Sequence, residues 1–287
     1  MIDLRSRLAA EPGKTSLAGI DPRSTPGLPD SDEIREDPKT WSGNEVARIG
    51  LELASYQERL FAAAKQGASR RRILLVLQAM DCGGKDGTVR TVAREMSPAG
   101  LTVVSFGPPS EEERRQDFLW RIHRALPAAG QVGIFNRSHY EDVLVVRVHE
   151  LVGKKVWSRR YDQINAFEAE LVADGLTLVK VMLHISRSEQ KKRLLARLDD
   201  PAKHWKYNPG DLGERARWDD YQDAYQDAVN RCSTAAAPWY VVPADRKWYR
   251  NWAVANLLRE SFAAIDPQYP TASFDVGEER VRLVDAP

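Results

Sequence analysis

The sequence contains Ala79-Met-Asp-Cys-Gly-Gly-Lys-Asp-Gly-Thr88, placed between an apolar run, Ile73-Leu-Leu-Val-Leu77, and a segment of helical character, Thr88-Val-Arg-Thr-Val-Ala-Arg-Glu-Met96. The apolar run predicts a buried parallel strand. A strand, a Gly-rich turn, a Gly-Lys pair and a helix form the context that a phosphate-binding loop needs. Backbone N–H groups and the positive end of the helix would face the anion there, and Lys85 would add a full charge.

The loop departs from the usual G-x-x-x-x-G-K-[ST] pattern at two positions. Ala79 stands in place of the first Gly, and Asp86 stands in place of the Ser or Thr that would ligate magnesium. In addition, an acidic residue, Asp81, lies inside the loop, which is unusual for a loop that binds anions. One interpretation is that Asp81 holds Mg²⁺ and that the metal holds phosphate. The alternative is a Gly-rich strand-to-helix turn without a ligand.

Composition limits the classes of function. The chain has 287 residues and a formal net charge of +1, so bulk electrostatics give no reason to expect binding to nucleic acid or to a membrane. Any polyanion site must therefore be a local concentration of Lys and Arg. Two cysteines, Cys82 and Cys232, indicate reduced thiols in a cytoplasmic protein rather than a disulfide framework. We expect no signal peptide, because the first residues lack an apolar core, and no membrane span.

Strand and helix patterns alternate along most of the chain, which predicts a three-layer α/β fold: a five-stranded parallel sheet with helices on both faces. The predicted strands are 73–78, 101–106, 131–135, 176–185 and 239–243. The clearest predicted helices are 44–66, 111–125 and 154–173. Ser110 and Glu113 are expected to form a capping box at the start of the second of them. We expect a loop-rich N-terminal extension over 1–40, one domain over 41–265 and a C-terminal tail over 266–287.

Polar residues follow the third strand, where sites form in parallel sheets. Asn136 and Arg137 come first, and Arg offers a planar fork of donors that suits phosphate oxygens. Glu141 and Asp142 follow closely. They would bind a metal or accept hydrogen bonds from a nucleotide base; alternatively, they are acids of the kind favoured at any helix N-terminus.

A basic segment, 187–217, is the third signal. Arg193 and Arg197 are four residues apart and therefore share a helix face. Prolines and glycines interrupt the segment, which predicts a helical lid that closes over phosphates. The alternative is a solvated, charged helix face. Trp205 lies within this segment and is predicted, with Trp120, Trp218, Trp239 and Trp248, to pack in the core or against helices rather than to stack on a nucleotide base.

Several motifs, taken in order, resemble the polyphosphate kinase 2 family over roughly residues 30–265. They are Ala79–Thr88, Asp117-Phe-Leu-Trp-Arg121, Ile134-Phe-Asn-Arg-Ser-His-Tyr-Glu-Asp-Val143, Glu189-Gln-Lys-Lys-Arg193, His204-Trp-Lys206 and Ala237-Pro-Trp-Tyr-Val-Val-Pro-Ala244. The resemblance implies a phosphate-loop kinase fold and a reversible transfer of phosphate between inorganic polyphosphate and nucleotides. Asn136-Arg137, in place of Asp-Arg, resembles the class III branch, which phosphorylates both AMP and ADP.

The loop pattern and the resemblance together give a set of expected site residues. Asp81, Lys85 and Arg137 are predicted to be catalytic. Phosphate and polyphosphate are expected at Gly83, Gly84, Lys85, Gly87, Thr88, Arg90, Arg193, Arg197, Lys203 and Lys206. The nucleotide is expected at Asn136, Arg137, Glu141 and Asp142. Mg²⁺, or Mn²⁺ in its place, is expected at Asp81 and Asp142.

The expected partners are inorganic polyphosphate, AMP, ADP, ATP and further copies of the chain in a homo-oligomer, a dimer or tetramer. Two other interpretations stay open on the sequence. The first is an ATP-dependent nucleoside monophosphate kinase, against which Asp86 and the long basic segment argue. The second is a nucleotide-binding regulator without catalysis, which would not need so many basic side chains at one site.

Overall fold

Five parallel strands form one sheet in the computed structural model, which describes residues 3–30, 32–34 and 36–286. In chain order they are β1 (Arg72–Gln78), β2 (Leu101–Ser105), β3 (Val132–Asn136), β4 (Leu176–His184) and β5 (Trp239–Pro243). Their order across the sheet is β2-β3-β1-β4-β5. The predicted sheet is confirmed, and every predicted strand end lies within one residue of the observed one.

Helices connect and cover the strands. They are α1 (Leu4–Leu8), α2 (Pro38–Lys65), α3 (Lys85–Val92), α4 (Glu111–Arg114), α5 (Trp120–Ala125), α6 (Val145–Val148), α7 (Lys154–Ala173), α8 (Arg187–Leu198), α9 (Asp211–Ala216), α10 (Trp218–Cys232), α11 (Lys247–Ile265) and α12 (Val276–Val284). Short 3₁₀ turns cover Leu17–Gly19, Pro98–Gly100, His139–Asp142 and Pro201–Lys206.

The central strand β1 contributes to two hydrophobic cores because successive side chains point to opposite faces of a sheet. Ile73, Leu75 and Leu77 belong to a large core that also contains residues of α2 and α11. Leu74 and Val76 belong to a smaller core with residues of α5 and α7. Every residue of β1 is buried, as expected for a strand that is covered on both faces.

The N-terminal segment, which we expected to be a loop-rich extension over 1–40, contains a short helix, α1, that is packed into the large core. Leu4 and Leu8 of α1 lie in the large core and are 0% and 4% exposed. Glu260 of α11 accepts hydrogen bonds from the backbone N–H groups of Leu4 and Arg5, at 3.0 and 2.9 Å. Just after α1, Ala9 pairs with Tyr240 of β5. Sequence polarity obscured this helix, whose stability depends on contacts with distant parts of the chain.

Helix α2 begins at Pro38, six residues before the predicted start at 44. The Asp37 carboxylate caps it by accepting hydrogen bonds from the backbone N–H groups of Lys39 and Thr40. Proline suits the first helical position, since its missing N–H is not needed there. An Asp-Pro pair that we took for a loop is therefore a helix start.

The predicted helix over 111–125 is in fact two short helices, α4 and α5. The expected capping box between Ser110 and Glu113 is present and opens α4. The chain then turns at Asp117, whose side chain accepts a hydrogen bond from the backbone N–H of Leu119 at 2.9 Å. A local side-chain acceptor of this kind competes with the helical hydrogen-bond pattern and ends the helix.

The helix after the Gly-rich loop begins earlier than predicted. Lys85, rather than Thr88, is its first residue, and it ends at Val92 rather than at Met96. Gly84 precedes it with φ of 107°, a left-handed conformation that glycine adopts at little cost. The Gly-Lys pair therefore forms the N-terminus of α3.

The predicted C-terminal tail, 266–287, carries helix α12, which sequence analysis did not anticipate. Its apolar side chains Val281, Leu283 and Val284 are exposed. In the described part of the chain, no helix combines the length and the apolar character needed to cross a membrane.

The packing of α1 can be tested by replacing Leu4 with Ala. Truncating a fully buried leucine removes apolar contacts and leaves a cavity, so we expect the free energy of unfolding to fall by about 2–5 kcal/mol. The control is Leu51→Ala in α2, where the side chain is 66% exposed; it should change stability by no more than about 0.5 kcal/mol. Urea unfolding measures both. Equal, small effects would show that the N-terminal segment is not part of the fold.

Candidate active site

Two cavities adjoin at the carboxyl edge of the sheet. The first, which we term the basic cleft, has a volume of about 440 Å³. Its cationic lining residues are Lys85, Arg137, Arg193, Arg197, Lys203, Lys206, Lys247 and Arg250. The second, which we term the apolar pocket, has a volume of about 940 Å³. Asp81, Phe106 and Arg137 line both cavities, so the two share a boundary.

Lys85 begins α3 and lies beneath the Gly-rich loop. We expected it to face solvent or a ligand, but its side chain is largely buried, and its ammonium donates a hydrogen bond to the Ala79 carbonyl at 2.9 Å. Burial and the neighbouring Arg137 charge lower the pKa of Lys85. The ammonium is therefore hydrogen-bonded to the loop backbone, and Lys85 still lines the basic cleft.

Arg137 joins the phosphate loop to the segment after β3. Its φ of 64° is unusual for a residue with a side chain, and such strain is often found at functional sites. The guanidinium donates to Asp81 at 2.7 Å and to Glu141 at 3.2 Å. Burial acts to lower the pKa of Arg137, but these two carboxylates outweigh it and raise the pKa. The predicted catalytic pair Asp81 and Arg137 is thus in direct contact.

Asp86, which stands in place of the usual Ser or Thr, accepts a hydrogen bond from the Asn136 amide at 2.8 Å. Its other oxygen lies 3.9 Å from the Lys206 ammonium. The carboxylate at this position therefore links the start of α3 to the end of β3 and to the basic segment, 187–217.

Asp142 is placed differently from Asp81. Its carboxylate pairs with Arg160 of α7 at 2.9 Å, and it lines the apolar pocket. Burial raises the pKa of Asp142 to about 6, although Arg160 and Arg121 act to lower it. Within the described ranges, no group of three or more His, Cys, Asp or Glu side chains is arranged to hold a metal. Of the two carboxylates expected to bind Mg²⁺, only Asp81 lies at the boundary of both cavities.

A buried ionic cluster supports the 3₁₀ turn that carries Glu141 and Asp142. The Lys180 ammonium in β4 donates to Glu168, to the Tyr140 hydroxyl and to the Cys232 carbonyl. Glu168 also bonds His139 at 3.1 Å and accepts from the Tyr140 hydroxyl at 2.8 Å. Burial acts to raise the pKa of Glu168, but Lys180 and His139 outweigh it and hold the pKa below its usual value. The cluster thereby fixes the positions of two residues of the turn, His139 and Tyr140.

Arg193, expected to bind polyphosphate, is bound to the protein instead. Its guanidinium makes five hydrogen bonds, the number of N–H groups that it carries. The acceptors are Glu189 and four backbone carbonyls, those of Cys82, Gly83, Ala244 and Asp245. The side chain is 8% exposed. Arg193 therefore ties α8 to the phosphate loop and to the loop after β5.

The remaining predicted phosphate ligands fall into two groups. Arg197, Lys203 and Lys206 line the basic cleft with Gly83, Gly84 and Gly87. Thr88 and Arg90 do not line either cavity: Thr88 is fully buried and donates to the Gly84 carbonyl at 3.2 Å, whereas Arg90 is exposed on α3. The prediction for Trp205 was wrong, since its ring is 78% exposed beside Lys206.

Sequence analysis missed two bases of the basic cleft, Lys247 and Arg250 of α11. A usable signal was present, because the fifth strand is also followed by charged residues, Asp245-Arg-Lys247, and sites form beyond the carboxyl ends of parallel strands. The aromatic walls of the apolar pocket, Phe106 and Phe118, were also missed. No local pattern distinguishes them from core residues.

The fold and the site define an α/β protein of the phosphate-loop kinase class, with a cationic cleft beside an apolar pocket. Comparison with known proteins narrows this class. The family model described as "Polyphosphate kinase 2 (PPK2)" matches residues 39–270. The chain belongs to this family.

Individual relatives agree with that assignment. The chain is 48% identical to an AMP/ADP-polyphosphate phosphotransferase of Meiothermus ruber, over 84% of this chain and 89% of the relative. It is 42% identical to an ADP-polyphosphate phosphotransferase of Rhodopseudomonas palustris, over 79% and 81%. The crystal structure of polyphosphate kinase 2 from Arthrobacter aurescens TC1 superposes with a TM-score of 0.93 at 48% identity, and covers 98% of this chain and 96% of that one.

The tight approach of α11 to the loop can be tested with Gly84→Ala. A Cβ at this position would lie 1.7 Å from the Arg250 guanidinium, and the positive φ would be strained. We expect a stability loss of about 1–3 kcal/mol and a large fall in phosphotransferase rate. Gly43→Ala in α2 is the control, because a Cβ there meets open space. Thermal unfolding and initial rates measure both, and wild-type values for Gly84→Ala would contradict the close contact.

Proposed function

We propose that the protein transfers phosphoryl groups, reversibly, from inorganic polyphosphate to AMP and to ADP. The observation that carries the proposal is the boundary shared by the basic cleft and the apolar pocket, at Asp81, Phe106 and Arg137. A long polyanion and a nucleotide can thus meet end to end at the catalytic residues predicted from the sequence.

The basic cleft suits the donor. Among its lining residues, eight cations face two acids, Asp81 and Asp86. Polyphosphate carries a negative charge on every phosphate and needs such a concentration of cations, which the net charge of the chain does not supply elsewhere. Arg197, Lys203 and Lys206 of the lid segment, 187–217, supply part of it.

The apolar pocket suits the nucleoside of the acceptor. Its volume of about 940 Å³ is large for a small-molecule site, and Phe106, Phe118 and Leu144 contribute to its walls. Glu141 and Asp142 supply acceptors at its edge. Asn136 lies on the basic-cleft side, where its side-chain amide donates to Asp86 and would lie beside the acceptor phosphate.

Catalysis then depends mainly on position and charge. An oxygen of the acceptor phosphate forms a bond to the terminal phosphorus of the chain, while the anhydride bond breaks and its oxygen leaves with the shortened polyphosphate. Lys85 and Arg137 neutralise charge on the transferring group, a contribution worth ~3 kcal/mol or more for one such contact. No side-chain nucleophile is required.

The donor set also fits a divalent cation. Mg²⁺ is usually held by one or two carboxylates together with substrate phosphates, so a cage of three protein ligands is not needed. Among the described residues, hydrogen bonds reach only one of the two carboxylate oxygens of Asp81, that facing Arg137. We propose that Asp81 holds Mg²⁺, or Mn²⁺, where the cation would neutralise phosphate charge. Asp142, paired with Arg160, instead orders the nucleotide side.

Assembly and location are proposals of the same kind. The exposed apolar side chains of α12 support a homo-oligomer, a dimer or tetramer. The free thiols of Cys82 and Cys232 support a reducing compartment such as the cytoplasm.

The proposed activity is tested with purified protein, Mg²⁺, polyphosphate and either AMP or ADP, the products being resolved by chromatography. We expect AMP to yield ADP and then ATP. Lys85→Ala should lower the rate by more than about a hundredfold. If AMP is phosphorylated with ATP but not with polyphosphate, the protein is an ordinary nucleoside monophosphate kinase; if neither donor is used, the protein is a nucleotide-binding regulator.

The metal role of Asp81 predicts that Asp81→Asn shifts the Mg²⁺ dependence of the rate to higher concentration, by about tenfold or more. The KM for polyphosphate at saturating Mg²⁺ should change much less. Asp142→Asn is the comparison, and its Mg²⁺ titration should follow that of the wild type. The same shift in both variants, or in neither, would reject Asp81 as the metal ligand.

A further inference from the structure

Arg250 is a buried cation whose hydrogen bonds are incomplete. It lies on α11, is 3% exposed and lines the basic cleft. Its Nε and one terminal nitrogen donate to the same acceptor, the side-chain oxygen of Asn251, at 3.1 and 2.8 Å. Among the described residues, no carboxylate pairs with it, and three of its five N–H groups have no side-chain or backbone acceptor.

The surroundings of Arg250 make it less favourable to hold a positive charge at this position. Its guanidinium lies directly against Gly84 and Gly87, at the N-terminus of α3. A helix N-terminus carries partial positive charge, which repels a cation and attracts an anion. Burial, with a further contribution from the nearby Arg193 charge, lowers the pKa of Arg250 to about 10.

Arg193 and Arg250 therefore differ in what they can bind. Both are buried arginines beside the phosphate loop, but the N–H groups of Arg193 are all used by the protein, and those of Arg250 are not. The unused N–H groups of Arg250 open onto the basic cleft rather than being sealed in the core, so they are available to donate to an anion there. Lys247, one helical turn earlier, adds a second base beside the same opening.

We infer that Arg250, with Lys247, binds a phosphate group of the polyphosphate donor at the N-terminus of α3, whereas Arg193 is a positioning residue that shapes the loop. This inference rests on the proposed function and adds to it an anion-binding residue outside the loop and the lid. The loop N–H groups and the Arg250 fork would hold one phosphate from two sides, so that the chain is anchored next to Lys85.

The test compares Arg250→Met with Arg246→Met. Both substitutions remove one positive charge from the start of the same helix, but Arg246 is exposed and does not line the cleft. For Arg250→Met we expect the KM for polyphosphate to rise about tenfold or more. The KM for AMP should stay within about twofold of wild type, and so should kcat at saturating polyphosphate. Arg246→Met should keep both KM values.

Binding is measured separately by thermal unfolding with sodium tripolyphosphate. A ligand that binds only the folded protein raises the Tm, so the wild type and Arg246→Met should be stabilised and Arg250→Met much less. Without ligand, Arg250→Met should unfold at the wild-type Tm or above it, because an incompletely bonded buried charge is removed. Arg250→Lys keeps the charge without the fork and should fall between the two in both assays.

The outcomes separate the inference from the proposed function. If the wild type does not turn over polyphosphate, the proposed function is wrong. In that case the anion site is still supported if tripolyphosphate raises the Tm of the wild type but not that of Arg250→Met. Turnover by the wild type, with an unchanged polyphosphate KM and an unchanged Tm rise in Arg250→Met and Arg250→Lys, would overturn the inference. A fall in kcat at saturation with both KM values unchanged would assign Arg250 a structural role and overturn it as well.

Discussion

The main physical constraint on this structure is the neutralisation of cations gathered at one edge of a parallel sheet. Each basic side chain there is neutralised in a different way. Arg137 is paired with Asp81 and Glu141, Lys85 donates to a backbone carbonyl, and Arg193 uses all its donors on the protein. Arg250 is left with donors unused. Five of the eight cations in the cleft lining pair with carboxylates, most of which lie outside that lining. The charge of the cleft is therefore compensated only in part.

The same constraint acts beneath the site, in the cluster around Lys180. A buried ion pair contributes little net stability, because desolvation offsets most of the attraction. Its effect is geometric: Lys180 on β4 and Glu168 on α7 hold Tyr140 and His139, which belong to the turn that presents Glu141 and Asp142. An apolar replacement of the pair would fill the space but would leave the turn without fixed contacts. The cluster therefore specifies where Glu141 and Asp142 lie.

Local patterns were sufficient wherever the interactions were local. The strands were predicted to within a residue because short apolar runs bounded by glycine and polar residues are typical of strands buried in a parallel sheet. The capping box at Ser110 was also correct. Errors arose where a single side chain or a distant contact decided the outcome. Asp117 divides a helix that periodicity predicted as continuous, and Glu260 supports a helix near the N-terminus that composition assigned to a loop.

The sequence by itself determined the fold class, the phosphate loop, the basic character of segment 187–217 and, through a combination of motifs, the family. These properties reside in short stretches of chain and in their order. Only the tertiary structure decided which bases are free to meet a ligand. Arg193 and Arg250 look equivalent in sequence, but the acceptors that saturate Arg193 lie mainly on loops 51 and about 110 residues away, whereas the bonds of Arg250 reach no farther than Asn251. Hydrogen-bond partners that lie so far away in the sequence cannot be inferred from a local pattern. They nevertheless decide whether each charged side chain is free to bind a ligand.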